Sequence, residues 1–379
     1  MGKPHIVVVG AGAFGSWSAW FLLQSGARVT LVDGWGPGNS RASSGGETRI
    51  FRGGYGADQP YTRMARRALT LWQEHEERWS RKFLYRIGVL WMVGGEDSFE
   101  RGSLRELKAE GLEHEELSLH ELEKRWPQIN FDGVAWGLYE INAGYLTARA
   151  SCQAVVEAFV AEGGEFQQLA ISGEGIDSQR LDGLVLADGT KLVADQYVFA
   201  CGPWLPKLFQ ETVGKKIRVT RQDVVFFGTP AQSDAFEETK LPVWADHGER
   251  FFYGIPGNQY RGFKVADDTR GPEFDPTAGE RIASAESISK MRDYLAYRFP
   301  AMKDAPVLET RVCQYENTPD NNFILDRHPS RENVWIVGGG SGHGFKHGPA
   351  VGEMVAKAVL DGVQPEVRFR LGRLDNFER

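Results

Sequence analysis

The first 33 residues constrain everything that follows. His5 to Gly10 (HIVVVG) is an apolar, β-branched run too short for a helix. Phe14 to Gln24 has the bulk and spacing of a packed helix ended by Gly26, and Ala27 to Asp33 (ARVTLVD) reads as a second buried strand. Strand, helix and strand in so short a span make a right-handed βαβ unit, because parallel strands need a crossover. Between the first strand and the helix lies Gly10-Ala11-Gly12-Ala13-Phe14-Gly15, a GxGxxG spacing, and Asp33 closes the second strand. Gly10 permits the tight turn, Gly12 lets backbone approach a pyrophosphate, and Gly15 lets helix pack on strand. The pyrophosphate would rest on free amides at the helix N-terminus, with Asp33 accepting from the adenosine ribose. NAD and FAD share this fingerprint, so the motif alone does not choose between them.

A chain of 379 residues exceeds the roughly 250–300 at which one core stops growing, so two domains are expected. The formal charge of −7, spread along the chain, gives no phosphate-tracking surface for nucleic acid. There is no charged n-region with an apolar h-region and no apolar run of about 18 residues, so a cytoplasmic protein without a membrane span is expected. Cys152, Cys201 and Cys313 lack CxxC spacing and are odd in number, which supports neither a disulfide framework nor a zinc site. The eight histidines show no HExxH, and no metal is expected.

Tyr61 to Trp79, Ser118 to Trp126 and Ala148 to Glu162 read as amphipathic helices. Phe166 to Ala200 reads as short strands with turns at Gly173 to Gly175, Asp182-Gly183 and Asp188-Gly189, closing on the strand Gln196 to Ala200. Strands return from Ile217 to Val265, among them Val219 to Phe227 and Arg250 to Gly254. A helix from Ser284 to Tyr297 follows, with Ser284 as N-cap. The strand Asn333 to Val337, a glycine-dense turn and the helix Pro349 to Leu360 complete the pattern.

Three further clusters occur in one order: Ser43-Ser44-Gly45-Gly46-Glu47-Thr48-Arg49-Ile50-Phe51-Arg52, then Val198 through Trp204, then Cys313-Gln314-Tyr315 through Asp326 with Gly340 through Lys346. In these clusters the chain resembles the monomeric sarcosine oxidase and N-methyltryptophan oxidase family, D-amino acid oxidase-like FAD-dependent oxidoreductases. The likeness spans nearly the whole chain and is weak between about residues 85 and 140. It implies an α/β fold (α+β overall): a Rossmann-like FAD-binding domain with an interleaved substrate domain built on a large antiparallel sheet. The expected segments are 1–85, 141–216 and 310–379 for FAD, and 86–140 and 217–309 for substrate.

The resemblance also implies roles. Ser43, Thr48, Gly202, Trp204, Gly342, Gly344 and Lys346 join Gly10, Gly12, Gly15 and Asp33 around the cofactor. Cys313 matches the cysteine bonded to the flavin 8α-methyl, and Arg311 two residues earlier is a cation of the kind that favours thiolate. Lys264 matches the lysine that promotes dioxygen reduction, a fixed charge where superoxide would form. Arg49 matches the arginine beside the flavin ring, and His343 is placed in the flavin environment without a proton-transfer role. Arg52 and Lys346 match the pair that grips a substrate carboxylate; Tyr253 and Tyr315 match aromatics bordering the substrate cavity. Where sarcosine-handling members carry histidines, this chain has Gly45 and Asp268. The first opens space and the second offers a negative charge, so a bulkier or more cationic substrate than sarcosine is expected.

The function implied is a monomeric FAD-dependent oxidase of the carbon–nitrogen bond of a small amino acid, with dioxygen as second substrate and an imine and hydrogen peroxide as products. Three rivals remain. One is a dehydrogenase of the same fold passing electrons to a non-oxygen acceptor, another a non-catalytic flavin-binding subunit, and the third an NAD-dependent dehydrogenase suggested by the fingerprint alone.

Overall fold

The computed structural model describes residues 2–172, 180–247 and 251–377. The turn expected at Gly173 to Gly175 and the strand start expected at Arg250 lie outside these residues.

The opening βαβ unit forms as read: strand His5–Val9, helix Ala13–Gln24, strand Arg28–Val32. It seeds a six-stranded sheet ordered Ile324–Arg327, Val334–Gly338, Gln196–Phe199, His5–Val9, Arg28–Val32, Glu165–Gln167. All neighbours are parallel except the first pair. Strands drawn from both chain ends and the middle can share a sheet only through crossovers. Helices Ala13–Gln24, Ala148–Ala161 and Gly348–Asp361 provide the cover. The central strands are buried on both faces, which is why they read as continuous apolar runs.

The second sheet has eight strands, ordered Val307–Asn317, Arg218–Phe227, Phe263–Asp267, Phe251–Ile255, Val243–His247, Val89–Val93, Trp136–Glu140, His114–Ser118. It is antiparallel apart from the pairing of Val243–His247 with Val89–Val93. Residue 310, an expected domain boundary, falls inside the first of these strands. Three strands of this sheet and the helix Ser98–Ala109 come from the stretch where the resemblance is weak. A small three-stranded sheet, Thr48–Phe51, Gly144–Thr147 and Leu84–Tyr85, lies beside them.

Alternation assigns the two faces of the large sheet. Leu90, Met92, Trp244, Phe252, Phe263 and Val265 form one apolar cluster with Met291 and Leu295 of the helix Ala285–Arg298. Phe252 stacks on Tyr294 with ring centroids 4.1 Å apart. The intervening residues, Trp91, Tyr253, Lys264 and Ala266, therefore point the other way. Ser284 caps the covering helix as expected, its hydroxyl accepting from the Ser287 amide. Ser118 and Glu121 form a reciprocal capping box at the start of Leu119–Arg125. Among the described residues no helix is long and apolar enough to cross a membrane.

Glu47 ties the segments together. Its carboxylate lies 2.8 Å from Arg261, 3.1 Å from Arg311 and 3.5 Å from Arg149, on three separate elements. Replacing it with alanine leaves three partly exposed guanidinium groups without their shared anion. Glu47→Ala should cost about 2 kcal/mol, and Glu47→Gln less, read as the urea midpoint. A midpoint unmoved by either substitution removes Glu47 from this role.

Candidate functional site

A cavity runs between the glycine turn and the large sheet, lined by Gly10, Gly12, Asp33, Ser43, Gly202, Trp204, Cys313, Gly342 and Gly344 among others. Gly10 has φ +104°, and a Cβ there would lie 2.4 Å from the Ala200 carbonyl oxygen. At Gly15 a Cβ would lie 1.7 Å from the Gly10 carbonyl oxygen, so helix and turn approach only because both residues lack one. Asp33 accepts from the amides of Ala11, Trp35 and Gly36, each at 2.8 Å. Burial pushes its carboxyl up and those amides oppose the shift. Asp33 thus shapes the turn itself, beyond the ribose contact expected of it, and one lone pair stays free on Oδ2. Trp35 and Trp204 approach to 5.0 Å on the same cavity wall. The Ser43 hydroxyl and Glu316 Oε2 are buried polar atoms without a partner here. A glycine turn, helix-start amides and unpaired polar atoms along one cavity fit a dinucleotide.

At the sheet end, Cys313 Sγ accepts from Arg49 Nη2 at 3.1 Å. The same nitrogen donates to the Ser43 carbonyl at 2.6 Å, and Nη1 to the Thr48 carbonyl at 2.9 Å. The cation on the sulfur is therefore Arg49. Arg311, expected in that place, is drawn off by Glu47 and Glu309. Lys264, 2% exposed, donates to the same Thr48 carbonyl at 3.1 Å. Burial, with Arg49 adding to it, lowers its ammonium to about 7.

On the same side stand Tyr253, Tyr315 and Asp268. The two hydroxyls are 3.4 Å apart, and Tyr315 donates to Asp268 Oδ1 at 2.9 Å. Arg270 lies 3.5 Å from Asp268, and burial raises the Asp268 carboxyl. Asp267 points elsewhere and pairs with Lys290. Gly45 corrects an expectation: a Cβ there would lie 1.8 Å from the Asn39 carbonyl oxygen, so backbone fills the space that losing a histidine was expected to open.

Arg52 and Lys346 come together over one ring. The Arg52 guanidinium carbon is 4.4 Å and Lys346 Nζ 4.9 Å from the centroid of Tyr55. Lys346, 3% exposed, donates to the His343 carbonyl at 3.0 Å. Burial and then Arg52 push its ammonium well below the usual lysine range. Lys346 was expected at the cofactor as well, yet it stands here with Arg52, outside the residues lining the dinucleotide cavity.

Sequence reasoning missed Tyr55 and Glu140. Tyr55 sits in Arg52-Gly53-Gly54-Tyr55-Gly56, and an aromatic residue flanked by glycines between a strand and a helix was the available signal. Buried Glu140 accepts from the Gly53 amide at 2.6 Å, the Gly54 amide at 3.2 Å and Trp91 Nε1 at 2.9 Å. It pins the loop that carries Arg52 and Tyr55.

His343 Nε2 lies 3.0 Å from the Asn321 carbonyl, which only accepts, so Nε2 carries the proton and Nδ1 accepts from Tyr55 Oη at 3.1 Å. His347 Nε2 then donates to Tyr55 Oη at 2.7 Å. Burial and Lys346 drive both imidazoles well below the usual histidine range. A lowered histidine is neutral above its shifted value, so both rings should be neutral at pH 6.5, where a free imidazole is half charged. Histidine 15N chemical shifts check this; imidazolium signals from either ring near pH 6.5 contradict it.

A family model described as FAD dependent oxidoreductase matches residues 5–358. Monomeric sarcosine oxidase of Streptomyces avermitilis is 31% identical over 366 residues, covering 94% of this chain and 94% of the relative. L-proline dehydrogenase from P. horikoshii superposes with a TM-score of 0.84 at 21% identity, covering 99% of this chain and 98% of that one. Fructosyl peptide oxidase from E. terrenum gives 0.83 at 22% identity, covering 98% and 92%. At these identities the two structures speak to the fold.

Proposed function

The chain belongs to the FAD dependent oxidoreductase family, and from that premise we propose that it oxidises the carbon–nitrogen bond of a small amino acid bearing a secondary or N-substituted amine, giving an imine and hydrogen peroxide. The observation that carries this reading is the convergence of Arg52 and Lys346 on Tyr55, beside a sheet face that also presents Lys264 and Cys313.

Bound FAD supplies the two-electron acceptor. Arg52 takes one end of a substrate carboxylate in its planar fork, and the arriving anion favours the charged form of Lys346. Fixing the carboxylate leaves the amine one way to lie, and orientation of this kind accounts for much of a rate enhancement. Tyr253 and Tyr315 wall the cavity, and Asp268 directs choice toward amines more cationic or bulkier than sarcosine. The neutral imidazole of His343 orients Tyr55 and moves no proton. Lys264 is the charge that stabilises superoxide as it forms, which favours an oxidase over a dehydrogenase. A single copy in the cytoplasm is the working assembly.

The test is anaerobic mixing of the yellow protein with N-methyl, cyclic, cationic and sugar-derived amino acids, followed by admission of oxygen. One class should bleach the flavin and then yield one peroxide per turnover. Bleaching without peroxide identifies a dehydrogenase, and no bleaching by any amino acid sinks the reading.

Lys264→Met should slow flavin reoxidation by about 10²–10³-fold and leave reduction within a few fold. Lys264 is charged below about 7, so the wild-type reoxidation rate should fall as pH rises through that value, while the variant's stays flat. Equal effects on both half-reactions remove the assigned role.

We place covalent attachment at Cys313. Acid-precipitated protein should keep its yellow colour, and Cys313→Ser should fold yet release its flavin. A colourless wild-type precipitate defeats the link.

A further inference from the structure

Glu316 has no part in the reading above, yet it is 8% exposed and lines the dinucleotide cavity. Its Oε1 accepts from the Gly340 amide at 3.1 Å, and Oε2 has no partner among the described residues. Gly338 and Gly340 make room for this carboxylate, and Gly202 lies within van der Waals reach of it. A Cβ at Gly338 would lie 3.3 Å from Oε2, one at Gly202 3.9 Å from Oε2, and one at Gly340 3.3 Å from Oε1. An unpaired carboxylate oxygen in a buried wall is costly and calls for a donor.

Position narrows the donor. Glu316 follows Cys313 by three residues on one strand, about 10 Å along it and on the alternate parity, yet both line the same cavity. On its other side stands Gly202, two residues after Ala200, whose carbonyl lies against Gly10 of the phosphate-binding turn. The carboxyl group is thus placed between the turn that fits a pyrophosphate and the cysteine that fits the ring. A phosphate oxygen only accepts, so it repels the ionised carboxylate and can pair with the group only when that carboxyl is protonated. The segment of FAD between phosphate and ring is a polyol, and its hydroxyls donate. Burial raises the carboxyl to about 7, against the amides of Gly340 and Gly339.

We propose that Glu316 is a cofactor contact, its free carboxyl oxygen pairing with one hydroxyl of the ribityl chain of FAD. The proposal rests on the family's cofactor being bound in this cavity. Protein purified without any flavin absorbance would overturn that premise separately from the role of Glu316.

The experiment uses the Cys313→Ser protein, stripped of flavin and titrated with FAD and with three analogues, each lacking one ribityl hydroxyl, following the quenching of flavin fluorescence. Glu316→Ala should weaken FAD binding about tenfold or more, and Glu316→Gln, which keeps an oxygen, should stay within a few fold. With one of the three analogues, the glutamate and alanine proteins should bind equally. Alanine protein that binds FAD as tightly as its parent overturns the proposal. So does a loss of equal size with FAD and all three analogues, which would reduce Glu316 to a prop for the Gly340 turn.

Discussion

Two cations, Lys264 buried and Arg49 half-buried, share one carbonyl. Arg49 and Lys264 both donate to the Thr48 oxygen, and this contact joins the strand Thr48–Phe51 to the large sheet. Like charges so close and so dry repel, which is part of why the Lys264 ammonium is pulled down to about 7. The arrangement persists because the joint is held from both sides. Glu47 collects three arginines behind it, and Glu140 fixes the loop ahead of it. Positive charge confined to this spot favours whatever gains electrons there, a reduced anionic ring or a forming superoxide.

The large sheet supplies the rest by parity. Cys313 and Tyr315 are two residues apart on one strand, and Lys264 and Ala266 keep the same spacing on another, with Asp268 just past its end. Tyr253 lies opposite Ala266 in register. A single face thus collects chemistry from segments up to 224 positions apart, such as Trp91 and Tyr315. The other face is given to apolar packing against Ala285–Arg298, which holds the sheet still. A slip of one residue in any strand would exchange the faces and scatter the site.

What the sequence disclosed, it disclosed through local rules. The βαβ opening, the glycine tasks, the Ser284 cap and most helix bounds follow from spacing within a dozen residues. The cation beside Cys313 was misread because Arg311 is close in sequence while Arg49 is close in space, across 264 positions. Gly45 was read as room gained, yet the carbonyl of Asn39 occupies it, a fact of backbone path that residue identity does not carry. Tyr55 and Glu140 escaped for a related reason. Their value lies in what they support, a ring under two cations and an anchor for two amides, and neither leaves a periodic trace. Among the strands between 85 and 140, Val89–Val93 takes its parallel partner, Val243–His247, from about 150 residues away, which leaves no local trace.

The charged groups around Tyr315 and around Tyr55 differ in how completely the protein satisfies them. Asp268 already has Tyr315 and Arg270, and a group so engaged can alter what it accepts by modest rearrangement. Arg52 and Lys346 donate to the carbonyls of Gly54 and His343 and lean on an aromatic ring; among the described residues neither has a carboxylate at ion-pair distance. Two basic groups held together against burial favour an anion as partner, because it lets both carry charge. Under the proposed function, the carboxylate end is the fixed part of recognition, and variety in the amine falls to Asp268 and the tyrosines. An amine lacking the carboxylate would leave the strongest electrostatic demand of the site unmet, whatever contacts it made at the other end.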